Sequence, residues 1–232
     1  INGNLAMIGT GSGNDAYVVS AAQKGGYGST KTYQATGINI YDKDGAAFTL
    51  NGNLDMKVKG VGVDMRGSEK NAVTIAGGTI FTPDDGEEAS YKAVAATSGT
   101  FAMGMNDAKT GSNGKDVVVQ GTISLGKKGT VDLGLGSSKS RWTGIADNKD
   151  GHPMNLYLSD GGMWENRRTS KDQYGLFAGS RVTKVAGGTA PAKAGVIVQK
   201  DSKPIIIVHF SVHSFHVYDH ESSSPATLIC GD

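Results

Sequence analysis

A five-residue unit recurs along this chain: a glycine, a polar residue, an apolar residue, any residue, then a second apolar residue. It stands as Gly3-Asn4-Leu5-Ala6-Met7, Gly52-Asn53-Leu54-Asp55-Met56, Gly99-Thr100-Phe101-Ala102-Met103 and Gly121-Thr122-Ile123-Ser124-Leu125. A weaker copy, Gly78-Thr79-Ile80-Phe81-Thr82, lacks the last apolar residue. The successive glycines are 49, 26, 21 and 22 residues apart, and the first gap reads as about two of the later steps. Trp142 and Trp164 repeat the spacing of 22. Each unit alternates apolar and polar residues, the pattern of a strand with one buried face.

Self-similarity at twenty-odd residues marks a solenoid, in which each repeat buries its face only against its neighbours. Helical repeats do not fit, because no 3.6-residue apolar pattern lies between the units. Leucine-rich repeats share the period but need a Leu/Asn pattern that is absent. A parallel β-helix with coils of about 20–25 residues fits best. In that reading Leu5, Leu54, Ile80, Phe101 and Ile123 form one interior ladder, with Asn4, Asn53, Thr79, Thr100 and Thr122 as the polar ladder beside it. The competing fold is a β-sandwich whose hairpins happen to resemble one another.

Composition points the same way. Glycine supplies 35 of 232 residues, about twice the usual share of roughly 7%. Ser, Thr, Asn and Asp are abundant and proline is sparse, which favours short strands joined by tight turns. With 23 basic and 22 acidic residues, no sign of charge dominates, so neither a nucleic-acid footprint nor a membrane-surface patch is expected. No apolar run is long enough to span a bilayer. The single cysteine, Cys230, excludes an internal disulfide framework and suits either the cytosol or a bacterial exported protein.

Two segments carry a family resemblance. "GTVDLGLGSSKSRWTGIADN" from Gly129, followed by "MNLYLSDGGMWEN" from Met154, resembles the passenger region of bacterial autotransporters, the type V secreted surface proteins. The Ser-x-Trp-Thr-Gly segment maps to Ser140, Trp142, Thr143 and Gly144. The x-Leu-x-Leu-Ser-x-Gly-x-x-Trp segment maps to Leu156, Leu158, Ser159, Gly161 and Trp164. "SRVTKVAGG", Ser180 to Gly188, resembles the coil that commonly follows. The motif-bearing stretch covers about 117–188; residues 1–116 agree in periodicity only, and 189–232 hardly match.

The resemblance implies an all-β chain: one right-handed parallel β-helix over 1–232, displayed on or released from a Gram-negative outer membrane. It implies a scaffold and no catalytic centre. The chain begins at Ile1 without a basic-then-apolar leader and ends "LICGD" without amphipathic barrel strands, so an internal passenger fragment is expected. The expected function is adhesion or self-association, with host-surface or matrix molecules, glycans or neighbouring cells as partners. An inert stalk and a polysaccharide-acting enzyme are the alternatives.

Candidate chemical sites are few. Gly9, Gly11 and Gly13 are followed by Asn14, which breaks the spacing of a dinucleotide fingerprint, so a turn is expected. "YDKDG" (Asp42, Asp44) and "DNKDG" (Asp147, Asp150) lack the ligand ladder of a calcium loop and read as turns. Asp84, Asp85, Glu87 and Glu88 crowd one loop, whereas a glycosidase pair faces across a cleft. Trp142 and Trp164 offer either a sugar platform or buried stacking. His209, His213, His216 and His220 would share one helix face as metal ligands, but their Phe, Val and Tyr neighbours favour a strand with a turn near Ser214. Ile205 to Val208 reads as a buried strand, and Cys230 as a core or near-terminal thiol. No catalytic, cofactor or metal residue is assigned.

Overall fold

The computed structural model describes residues 1–9, 35–82, 92–167, 180–187, 194–200, 205–211, 215–219 and 228–230, the last three stretches as backbone. Among the described residues every regular element is a strand, and all pairings between named strands are parallel. No helix there is long and apolar enough to cross a membrane.

The chain runs through three ladders in a fixed order. β1 (Leu5–Gly9) begins the first ladder and β2 (Ala35–Asp42) the second. β3 (Ala47–Val58) serves two: its first half begins the third ladder, and its second half pairs with β1 in the first. β4 (Gly60–Gly67) and β5 (Ala72–Phe81) repeat the circuit, as do β6 (Lys92–Met103) with β7 (Val117–Gln120) and β8 (Thr122–Leu135) with β9 (Arg141–Thr143). β10 (Ala146–Asp147), β11 (Met154–Leu158) and β12 (Met163–Asn166) complete another turn. β13 (Ser180–Gly187) and β14 (Gly195–Gln199) follow, then β15 (Ile205–Ser211), β16 (Phe215–Asp219) and β17 (Leu228–Cys230). The product is a solenoid-like wall of parallel strands around one core.

Inward side chains stack coil upon coil because their strands stay in register. The first ladder stacks Met56, Ile80, Val119, Trp142, Trp164 and Ile197. The second stacks Ile38, Val63, Val94, Ile123 and Ala146. The third stacks Leu50, Ile75, Met103, Leu133, Leu156 and Val185. All are buried. Each fully buried Leu, Ile, Val or Met contributes roughly 1.5–3 kcal/mol of transfer free energy, so the stacks carry the fold.

Two expectations change. The 49-residue gap is one coil step, because Leu5 pairs directly with Leu54. Asn53 N donates to Asn4 Oδ1 at 2.9 Å, and Asn51 Nδ2 to Asn2 Oδ1 at 2.8 Å. The two Asn-Gly-Asn stretches match because they lie side by side and bond each other; the extra length falls between β1 and β2. Coil steps are also unequal, from 20 residues (Val196 to His216) to 49 (Leu5 to Leu54).

The five apolar residues of the repeat are interior but share no single ladder. Leu54 is paired with Gly78, and Ile80 belongs to the Met56 stack. Phe101 lies in the third ladder between Val73 and Val131, and Ile123 in the second. Thr79, Thr100 and Thr122 are dispersed with them, leaving Asn4 beside Asn53. The unit marks a corner entering a strand. A coil has several corners, and the unit does not say which one it occupies.

Candidate functional site

Between Met103 and Val117 the chain leaves the wall as an arm. Gly104, at φ +70°, starts the excursion, a left-handed conformation that strains any residue with a Cβ. Met105 and Ser112 form an antiparallel bridge, and Asn106 N donates to Gly111 O at 3.0 Å. Asn106 Oδ1 accepts from Thr110 N at 3.0 Å, closing the tip. Side-chain hydrogen bonds are among the ties that hold the arm down. Asn113 Nδ2 donates to Ala76 O at 2.8 Å, Lys115 Nζ to Asn51 O at 3.0 Å, and the Tyr157 hydroxyl to Lys109 O at 3.0 Å. Gly134 and Gly136 leave room beneath it that a side chain would fill, against Gly104 and Ser112 respectively.

An open groove of about 620 Å³ runs between this arm and the outward face of the third ladder. Its floor is Thr74, Ala76 and Ala102, and its walls include Asn51, Asn106, Asp107, Ser112, Asn113 and Lys115. A second recess, of about 390 Å³, is lined by Asn4, Gly52, Asn53, Gly114, Lys115 and Asp116. Lys115 lines both. Beyond the arm, Asn155 Nδ2 donates to Asp132 Oδ1 at 2.7 Å, and Lys184 Nζ lies 5.4 Å from the centre of the Tyr157 ring. Burial, with a smaller contribution from the Asp132 carboxylate, raises the Tyr157 hydroxyl above its ordinary value of 10.0.

Amides, hydroxyls and one cation over a small apolar floor suit hydrogen bonding to a neutral polar ligand. Asp107 is the one carboxylate among the described residues that line the groove, whereas glycoside hydrolysis uses a facing pair.

The sequence-derived candidates fall elsewhere. Trp142 and Trp164 are fully buried, which removes them as a sugar platform. Asp42 Oδ1 accepts from Asp44 N at 2.7 Å and Gly45 N at 2.9 Å, so this carboxylate closes its own turn. Asp147 accepts from Ser124 Oγ at 3.0 Å, while Asp150 approaches His152 at 3.6 Å. His209 sits on β15, paired with Lys184, whereas His216 sits on β16, paired with Val196; they occupy different ladders. Cys230 lies on β17, paired with Ile207. Gly11, Gly13, Asn14, Asp84, Asp85, Glu87, Glu88, His213 and His220 lie outside the described residues. Among the described residues no three His, Cys, Asp or Glu side chains are grouped to hold a metal.

Sequence reasoning missed the arm. Its signal was present in "GMNDAKTGSNGKD", a dense run of turn-forming residues between two apolar strands. The chain matches no protein-family model, no curated protein and no solved structure.

Proposed function

We propose that this chain is a surface-exposed or secreted fragment of a bacterial autotransporter passenger. In this reading the solenoid-like wall is a right-handed parallel β-helix that works in adhesion or self-association. Support for the β-helix comes from the fixed three-ladder circuit and its unbroken inward stacks. Support for the family comes from "SRWTG" and "LYLSDGGMW", which fall on two successive coils as a repeating scaffold requires. The observation that carries the binding role is the groove beneath the arm. It is preformed, polar-walled and open to solvent, and it binds without turning its ligand over.

Weak contacts of this kind gain strength from dense display. Beads coated with the chain are expected to clump, or to adhere to immobilised matrix or neutral glycans, far better than the monomer binds in solution. Thr74 is exposed on the groove floor, so Thr74→Trp fills the groove without touching the core. That variant should lose adhesion while keeping its melting temperature. Full adhesion by Thr74→Trp would remove the groove from the mechanism. Wild-type beads that neither clump nor adhere would make the chain a stalk, and shortening of a polysaccharide in its presence would make it an enzyme.

A further inference from the structure

Glu165 is an outward residue, next to inward Trp164 on β12, yet its side chain is only 2% exposed. Three cations converge on it. Arg141, from the preceding coil, pairs with Oε2. Lys200, from the following coil, lies 3.2 Å from Oε1, and Arg167 lies 3.9 Å from the same oxygen. Lys200 is placed there by its backbone N–H, which donates to Asn166 O at 3.0 Å. A buried carboxylate needs a compensating charge, but one well-placed cation suffices. Arg141 and Lys200 together already exceed the single negative charge between them.

The excess faces solvent, since the side chains of Arg141 and Lys200 remain 48% and 31% exposed. The other outward positions of β7, β9, β12 and β14 hold Val118, Gln120, Thr143, Met163, Val196 and Val198, none of them acidic. In a chain with almost balanced charge, the outward face of these four strands is locally positive; the next strand of the ladder brings Asp219 into register with Gln199. Arg141 and Lys200 come from coils two steps apart, with strands about 10 Å apart at the usual spacing, and their head groups lean towards each other over the one Glu165 carboxylate. A small anion placed between them would meet Glu165. A polymer carrying successive anionic groups could contact both while passing over it.

We propose that this edge is a polyanion-binding site, in which Arg141 and Lys200 hold successive sulfate or carboxylate groups of an acidic polysaccharide laid along the solenoid axis. The site is separate from the groove beneath the arm and goes beyond the adhesive reading. A nucleic acid fits less well, because the two tryptophans beside the cations, Trp142 and Trp164, point inward and offer no stacking face to solvent.

The test measures binding of the whole chain to dextran sulfate, with neutral dextran, inorganic sulfate and an oligothymidine as comparison ligands. Dextran sulfate should bind best, and its affinity should fall as salt rises. Arg141→Gln combined with Lys200→Gln should weaken it by about tenfold, as loss of two charge contacts implies. Glu165→Gln keeps the shape of the cluster and removes its negative charge, so it should bind severalfold tighter. Lys128→Gln, which removes a surface cation paired with Glu69, should change nothing. The inference is overturned if Glu165→Gln fails to tighten binding, if the double variant binds as wild type does, or if Lys128→Gln costs as much. Equal or tighter binding of neutral dextran, inorganic sulfate or oligothymidine would also overturn it.

Discussion

The indole rings of Trp142 and Trp164 stack with their centroids 4.9 Å apart and their planes 5° from parallel. The two residues are directly paired on neighbouring strands. Trp142 Nε1 donates to Gly121 O at 3.1 Å, and Trp164 Nε1 to Gly144 O at 3.0 Å. The glycine two residues after one tryptophan therefore accepts from the tryptophan of the next coil. Gly144 also has no room for a Cβ, which would meet the Gly121 backbone. Trp-Thr-Gly is thus a packing device: each buried N–H is satisfied by the preceding corner, as burial demands.

Trp142→Ala should cost about 3–5 kcal/mol, since it opens a cavity and breaks this stack. Chemical denaturation measures it. Tryptophan fluorescence in the wild type should resist quenching by acrylamide, and added oligosaccharides should leave it unchanged. Ready quenching in the native protein would contradict the burial.

Leu54 and Asp55 test the strand phase at adjacent positions. Leu54 is buried in the core, whereas Asp55 is exposed. Leu54→Asp places an unpaired carboxylate among apolar side chains, a cost of several kcal/mol against a typical total stability of about 5–15 kcal/mol. Asp55→Ala should cost under about 0.5 kcal/mol. Comparable losses from the two substitutions, measured by urea unfolding, would refute the assignment.

The strand phase was legible because alternation at Leu54-Asp55-Met56 states which side chains turn inward, and the parallel stacking because the unit recurs along the chain. The repeat interval was legible in outline, since Trp142 and Trp164 sit one coil apart as their spacing suggests. Coil register was not. Gly3 and Gly52 look two repeats apart, yet β1 and β3 are neighbours. A connection between strands can lengthen without disturbing the ladder, because its added closure entropy grows only slowly with length. The groove was illegible for a related reason. Asn51, Thr74, Asp107 and Lys115 come from separate coils and the arm, and only the folded register brings them together. Glu165, Arg141 and Lys200 are separated in the same way.

Asn113 should control the arm. Its side chain bonds Ala76 O and accepts from Lys115 N at 2.9 Å, so Asn113→Ala removes a strand-to-arm tie. The global cost should be near 1 kcal/mol, the ordinary worth of such bonds. The local effect should be larger, with faster tryptic cleavage after the exposed Lys109. Cleavage there at an unchanged rate would show that the arm is held by its other contacts.

Tyr157 gives the fold a pH dependence of known sign. Its hydroxyl is raised above 10.0, first by burial and then by Asp132, so the folded state holds the proton to higher pH than the unfolded chain does. Below about pH 10 both states are protonated and the contribution is fully present. As pH rises past that point the unfolded phenol ionises first, and stability falls until the folded hydroxyl has ionised too. Tyr157→Phe cannot ionise, so it escapes this decline. At neutral pH it should still lose the hydrogen bond to Lys109 O, about 1 kcal/mol. The advantage of wild type over Tyr157→Phe should therefore shrink between about pH 9 and pH 11. Urea unfolding of both proteins across that range gives the difference directly, cancelling the lysines and other tyrosines that titrate nearby. A difference that stays constant, or grows with pH, would mean that the hydroxyl is not held in the buried, negatively charged setting beneath the arm.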